Sequence, residues 1–471
     1  MKILLTGANG YIGRRLKHKL MQNSDLHIKI LVRNKNSISS NLKNIEMVEG
    51  STFDETSLFE ALSGVDVAFY LIHSLGSKNY EELDRISAQN FLNAAIKCNV
   101  KRIIYLGGLG EKSTASLHLK SRMETGEILS SRPQEIQTIW FRAGVIIGSG
   151  SASFEIIRNL TQKLPIMLTP KWVCTMAQPI GVDDVIEYLS QSTTIQYEKN
   201  LVVDIGSEKM NYKNMMIQTA EVMGLKRYLI PVPVLSPKLS SYWLTLFTPV
   251  PFNVSSSLIE GLKSEVIIQN DNAKKFFDIQ PQDFQSSVKK ALQEIEQNQV
   301  ISRWSDSSGD IWEKDHSKDI ANAVFIDRQF RDISDFDATK IYQSFMCIGG
   351  KNGWLAYDWL WEIRGLIDKI FGGFGTNRGR RDACDLRIGD SLDFWKVVDV
   401  VPNKRLLLFA QMKLPGRAWL EFIIEDGKLI QSAYFYPYGI LGIIYWYSLI
   451  PLHWLIFGNM VDAIIKNSEN F

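Results

Sequence analysis

Gly7, Gly10 and Gly13 stand between an apolar run, Ile3-Leu4-Leu5, and the start of a helical pattern near Tyr11. Each has a task where a strand feeds a helix that receives a phosphate. The first allows a tight turn, the second lets backbone N–H groups approach a pyrophosphate, and the third lets helix and strand pack closely. The stretch Gly7-Ala8-Asn9-Gly10-Tyr11-Ile12-Gly13 is therefore a candidate dinucleotide cradle, and its strand-turn-helix context is the one such a motif requires. A second candidate follows the apolar run His27–Val32. A carboxylate at that strand end binds the ribose 2′-hydroxyl of NAD, whereas a basic residue accommodates the 2′-phosphate of NADP. Here stand Arg33, Asn34 and Lys35, without a carboxylate, so NADP(H) is expected over NAD(H); a solvated loop is the plainer alternative. Leu71, Ile72 and His73 close the apolar stretch that begins at Val65, where open parallel sheets place their ligands, although a histidine capping a strand is more often structural. Gly107-Gly108 and Arg142-Ala143 end two later strand patterns and complete the cofactor-facing set.

These residues need a sheet to gather them. Strand patterns over residues 27–32, 45–49, 65–72, 101–106, 138–141 and 201–206 alternate with helical ones over 11–22, 55–62, 80–97, 117–130 and 212–224. That alternation requires a doubly wound parallel α/β sheet. A length of 471 residues implies more than one domain. The expected division is a dinucleotide-binding domain over 1–299, a linker rich in Ser, Asp and Gly over 300–319, and a second domain over 320–471. Hydrophobic content of 45% with 22% charged residues suits a soluble globular protein, and a net charge of +2 gives no argument for nucleic acid. The four cysteines (Cys98, Cys174, Cys347, Cys384) are scattered, which argues against disulfides and zinc and for a reducing compartment. Six histidines lack ligand spacing, so no metal is expected. The first residues enter a strand directly, so a cytoplasmic protein without a signal peptide is expected.

TGANGYIG (6–13), GVDVAFYL (64–71) and QPIGVDDV (178–185) resemble the atypical short-chain dehydrogenase/reductases, the NmrA-like and extended-type relatives of nucleotide-sugar epimerases. The resemblance covers residues 1–293. It implies a Rossmann domain and hydride chemistry by a Ser, and by a Tyr and Lys four residues apart. This chain departs from that set. Gly107-Gly108 stands where the Ser belongs, and His118-Leu-Lys-Ser-Arg122 where Tyr-x-x-x-Lys belongs. His118 and Arg122 share one helical face and are the candidate catalytic pair, the imidazole for proton transfer and the guanidinium for ribose or phosphate. A merely polar surface is the equal alternative. Ser51 likewise replaces the Asp that relatives place near the adenine.

From residue 320 the pattern changes to glycine loops, aromatics and antiparallel strands over 392–401, 405–413, 418–425 and 428–436, with Asp426-Gly427 as a hairpin turn. With a long C-terminal helix this α+β domain resembles the helix-grip architecture of START-like proteins, which hold apolar ligands. LPGRAWLEF (414–422) and IYWYSLIPLHWLIFGNM (444–460) are similar to a bacterial family in which an NmrA-like domain is fused to such a domain. Arg378, Arg380 and Arg381 on the glycine-rich loop are candidates for binding phosphate or carboxylate, or for pairing with Asp382 and Asp385. Between Gln431 and Asp462 there is no Lys, Arg, Asp or Glu. A helix buried against the sheet is the favoured reading, with membrane contact through 439–461, at the inner face of the cell membrane, as the alternative. The proline-rich stretch 228–252 suits a substrate lid, an apolar docking surface or packing between domains.

Three functions remain open. The first is an NADP(H)-dependent oxidoreductase acting on an apolar small molecule, with the nicotinamide near His73, Gly107, His118, Arg122 and Arg142. The second is a non-catalytic NADP(H) sensor or assembly factor. The third is a lipid-binding or membrane-associated protein with a vestigial nucleotide site. Substrate and oligomeric state are not legible.

Overall fold

The computed structural model describes residues 1–471 except 34–44, 74–78, 233–247, 249–255, 257–258, 263, 298, 307–319, 321–322 and 372, and the side chains of 171–172 and 377–378. The chain divides into two compact units, Met1–Phe247 with Asn253–Asp310, and Thr248–Phe252 with Ile311–Phe471. Beyond Val232, most of the proline-rich stretch lies outside the described residues.

The first unit is a parallel sheet between helices. Its elements run β1 (Lys2–Thr6), α1 (Tyr11–Leu20), β2 (His27–Val32), β3 (Ile45–Glu49), α2 (Glu55–Leu62), β4 (Val67–Tyr70), α3 (Tyr80–Lys97), β5 (Arg102–Gly108), α4 (Leu117–Leu129) and β6 (Gln137–Ala143). Then follow β7 (Ile146–Ile147), α5 (Ala152–Lys163), β8 (Ile166–Thr169), β9 (Met176–Ala177), β10 (Ile180–Gly181), α6 (Val182–Gln191), β11 (Leu201–Ile205), β12 (Met210–Asn211), α7 (Tyr212–Val222), β13 (Tyr228–Pro231), α8 (Asn272–Phe276) and α9 (Phe284–Glu296). Seven strands form the main sheet in the order β11-β6-β5-β4-β1-β2-β3, and β7–β10, β8–β13 and β9–β12 make short pairs beyond it. Its strands are apolar on both faces because both faces are covered. Ile3 and Leu5 join the core with Leu16 and Val185, while Leu4 joins that of Leu58, Phe91 and Leu92 on the other side. Side-chain caps start the helices: Asp54 accepts from Thr56 and Ser57, and Ser116 accepts from Leu119. Residues 300–306 belong to this unit rather than to a free linker, with Ser302 donating to the Tyr11 carbonyl at 2.8 Å.

The second unit is an antiparallel sheet of β14 (Phe325–Asp332), β15 (Ser391–Leu392), β16 (Trp395–Val401), β17 (Arg405–Ala410), β18 (Gly416–Glu425) and β19 (Lys428–Pro437), ordered β14-β19-β18-β17-β16-β15. Asp426 and Gly427 both have positive φ, 50° and 70°, as the tight hairpin between β18 and β19 demands. Helices α10 (Ala338–Met346), α11 (Asp358–Ile370) and α12 (Gly439–Asn467) complete it. Ile341, Phe345, Phe422, Met460 and Val461 share one core.

Three expectations are corrected here. Cys347 and Cys384 form a disulfide with Cα atoms 4.1 Å apart, although 37 positions separate them. Asn352 draws the two segments together by donating to the carbonyls of Cys347 and Ala383. Arg380 and Arg381 are buried rather than solvated: Arg380 lies on the carbonyls of Met346 and Ile348, and Arg381 pairs with Asp390 and, in keeping with the alternative reading, with Asp385. Helix α12 is buried mainly in its second half, with Gly442 and Trp446 the buried residues of its first. Ile456, Phe457, Met460, Val461 and Ile464 enter the core, whereas Ile440, Leu441, Ile444 and Trp454 face outward.

Candidate active site

The strand order turns back between β1 and β4, and an open parallel sheet carries its ligand crevice at such a reversal, outside the carboxyl ends. Thr6 ties the two ends together, its hydroxyl donating to the Phe69 carbonyl and accepting from the Leu71 amide. Gly7 follows at φ 67°, and a Cβ there would lie 2.4 Å from the Leu71 carbonyl oxygen. Gly13 is as strictly required, since its Cβ would lie 2.1 Å from the Gly7 carbonyl oxygen. Helix α1 therefore begins hard against the turn, with Gly10 as an N-cap that makes no side-chain hydrogen bond. The amides of its first turn have no partner within the helix, and its dipole favours an anion there. The bare glycine turn fits a pyrophosphate. Ala8, Asn9 and Ile12 lie within it; the Asn9 carbonyl accepts from Arg14 Nε at 3.0 Å. Tyr11 contributes backbone only. Its phenol is buried against Gly148, and burial drives its pKa up.

Arg33 ends β2 exposed to solvent, in the position for an adenosine 2′-substituent; Asn34 lies outside the described residues. Leu71 and Ile72 continue from β4 to His73, where the geometry becomes chemical. His73 Nδ1 lies 2.6 Å from Asp84 Oδ2, and His73 Nε2 lies 3.1 Å from His118 Nδ1. Ser121 donates to the same Asp84 oxygen at 3.2 Å. Asp84 comes from α3, His118 and Ser121 from α4, and His73 from the end of β4. Burial, before any charge, lowers the pKa of His73, with Arg122 adding to it and Asp84 opposing. His118 is lowered to about 3, by burial first and then by His73 and Arg122. Both imidazoles are thus neutral at pH 7.

The tautomers follow from the partners. A carboxylate only accepts, so His73 Nδ1 carries a proton. Neutral His73 then offers a lone pair at Nε2, and His118 Nδ1–H donates to it. His118 Nε2 is left as an acceptor, able to take a proton from a hydroxyl while the chain passes charge back toward Asp84. With the protons shifted one place the same chain donates.

The remaining candidates are held differently. Arg122 reaches the Leu106 carbonyl, and its own carbonyl accepts from the Tyr105 hydroxyl at 2.9 Å. Arg142 pairs with fully buried Asp204 by two hydrogen bonds of 2.6 and 2.9 Å, which tie β6 to β11. Ala143 ends β6, its carbonyl accepting from Leu109. Gly107 and Gly108 have steric reasons. A Cβ at 107 would lie 2.5 Å from Trp140 Nε1, and one at 108 would lie 2.4 Å from Leu119 Cδ1. Trp140 and Leu119 fill the space of the missing serine. Asp84 escaped the sequence reading; its only signal was a carboxylate in register with Ser87, Ala88 and Phe91 on the buried face of α3. A groove of about 270 Å³ lies elsewhere, lined by Arg15, His18, Lys19, Asp183, Glu187 and Lys290. Its charges pair among themselves, Lys19 with Glu187 and Lys290 with Asp183, so the strand ends hold the stronger site.

Residues 7–133 match the family described as NAD(P)H-binding, and residues 320–460 match a family described as a protein of unknown function (DUF2867). No curated protein matches the chain. Among solved structures, the triphenylmethane reductase of Citrobacter sp. aligns with a TM-score of 0.52 at 20% identity, over 62% of this chain and 100% of that one. The same reductase complexed with NADP(H) aligns at 0.51 and 19%, over 61% and 99%. A nucleoside-diphosphate-sugar epimerase from Staphylococcus aureus aligns at 0.50 and 17%, over 61% and 100%. At these identities the likeness is one of fold.

Proposed function

We propose that the first unit binds NADP(H) across the glycine turn and acts as an oxidoreductase on an apolar carbonyl or alcohol. The observation that carries this reading is the Asp84–His73–His118 chain, hydrogen-bonded throughout and rising from the strand whose end touches Gly7. When bound, the dinucleotide supplies or accepts hydride. The chain's own residues supply the rest. The glycine turn and the first amides of α1 would hold the pyrophosphate, and Arg33 the 2′-phosphate. His118 moves the proton at Nε2, replacing a tyrosine. His73 returns it at Nδ1 of His118, and Asp84 fixes the tautomer of His73. Arg122 holds α4 to the end of β5 and adds to the burial that keeps His118 neutral. The NADP(H) complex of the Citrobacter reductase supports the cofactor assignment, as does the want of an acid at 33–35. In the second unit, the antiparallel sheet closed by α12 supports a START-like role in holding an apolar molecule.

Fluorescence titration tests the cofactor. NADPH is expected to bind more tightly than NADH, and Arg33→Asp to reverse the order; equal affinities would sink the assignment. The filled positions at Gly107 and Gly108 favour a second reading, dinucleotide binding without turnover. NADPH oxidation that no panel of apolar ketones, quinones or dyes stimulates, despite tight binding, would establish it.

A further inference from the structure

We propose that the second unit docks on the surface of an anionic lipid bilayer through the outward faces of α11 and α12. The proposal is independent of the dinucleotide reading. Helix α12 contains an 18-residue window of mean hydropathy 1.7, of which 17% is buried. A core helix has such composition because it is covered; this one is not. Its inner stripe, Gly442 and Trp446, packs on the sheet, where Trp446 stacks on Phe325 and Phe435. Its outer stripe should then be polar. Instead Leu441 is 73% exposed and Trp454 77%, with Ile440, Ile444 and Tyr447 also exposed. Helix α11 repeats the arrangement. Trp359, Ile363, Leu366 and Ile370, at spacings of four, three and four, form one exposed apolar line that ends in Phe371 at 72%. Apolar area on this scale marks an interaction surface.

Charge and aromatic placement choose a bilayer as the occupant. Three cations gather at the head of α12. Arg364 on α11 reaches the Lys413 carbonyl at 3.4 Å, and Arg417 bonds the Tyr438 hydroxyl at 2.7 Å, its guanidinium 5.9 Å from that ring. The intervening Pro415 carbonyl accepts from the Tyr438 amide at 2.8 Å, so this loop is seated on the helix start. Two exposed carboxylates on α11, Asp358 and Glu362, stand against them. Indoles and phenols beside apolar side chains, with cations at the rim, suit the headgroup boundary of an anionic leaflet. The helix lies in that boundary rather than across it. From Ile456 onward it is core, with Ser344 bonded to the Ile464 carbonyl and Arg331 paired with Asp462 at 2.7 Å. The outward part before Ile456 rises about 25 Å at ~1.5 Å per residue, short of the ~30 Å hydrocarbon layer.

Flotation of the full chain tests this, using phosphatidylcholine vesicles with and without phosphatidylserine. Binding is expected to the anionic vesicles. Leu441→Glu and Ile444→Glu, both at exposed positions, are expected to cut the bound fraction about tenfold while circular dichroism stays unchanged. Lys413→Glu should weaken binding to anionic vesicles alone. Absence of wild-type binding to either vesicle overturns the proposal. So does a self-associated wild-type protein that Leu441→Glu converts to a monomer, which would make the face an interface between copies. Resistance to alkaline carbonate extraction would replace docking by a membrane-spanning helix.

Discussion

In the proposed reaction His118 carries the proton transfer, and its neutrality is the property to test. Folded, it stays unprotonated down to about pH 3; unfolded, it takes up a proton near its ordinary 6.5. Between those values protons favour the unfolded chain. The stability that neutral His118 provides is whole above pH 6.5 and is lost as pH falls toward 3. The melting temperature of His118→Gln should therefore fall less steeply between pH 7 and 4 than that of the wild type, as scanning calorimetry would read. If the proton relay operates, His118→Ala lowers NADPH turnover on a responsive substrate by about 10²–10⁴ with NADPH affinity unchanged. Unchanged turnover would remove His118 from the mechanism. Restoring the family's hydroxyl as Gly107→Ser should not restore its chemistry. The new Cβ meets the Trp140 indole, and overpacking of this kind costs about 1–3 kcal/mol, measurable by urea unfolding.

Among the elements, α3 was legible from the apolar spacing of Ala88, Phe91, Leu92 and Ala95, and α4 has its own cap in Ser116. Strand β14 was not legible. Its inward side chains are Phe325, Asp327, Gln329 and Arg331, so no alternation of apolar and polar announces it, and its partner β19 lies about a hundred residues on. Helix α10 was missed although Asp337 caps it and Ile341 and Phe345 have helical spacing. The Cys347–Cys384 link was invisible for the same reason of distance. It closes a loop of 37 positions, and chain-entropy reasoning gives such a cross-link about 4 kcal/mol. Cys384→Ser should lower the melting transition of the second unit, and dithiothreitol should do the same to the wild type but not to the variant.

At the scale of the molecule, two units with separate cores should melt as two transitions. NADPH at about a hundredfold its dissociation constant stabilises the unit that binds it by about 2.7 kcal/mol. Calorimetry should show one transition rising with NADPH while the reductant-sensitive one stays put. The sequence by itself determined the parallel sheet, the glycine turn and the departure from Ser, Tyr and Lys, because each is written in local spacing: strand period, helix period and a run of seven residues. Only the tertiary structure decided how those residues are held. Three elements, β4, α3 and α4, bring Asp84, His73 and His118 into one hydrogen-bonded line across 45 positions of sequence. Asp204 pairs with Arg142, and the Trp140 indole crowds Gly107, where a serine was expected. Apolar composition made α12 look like a core helix. Exposure is a property of what packs on a segment, and no composition can state it.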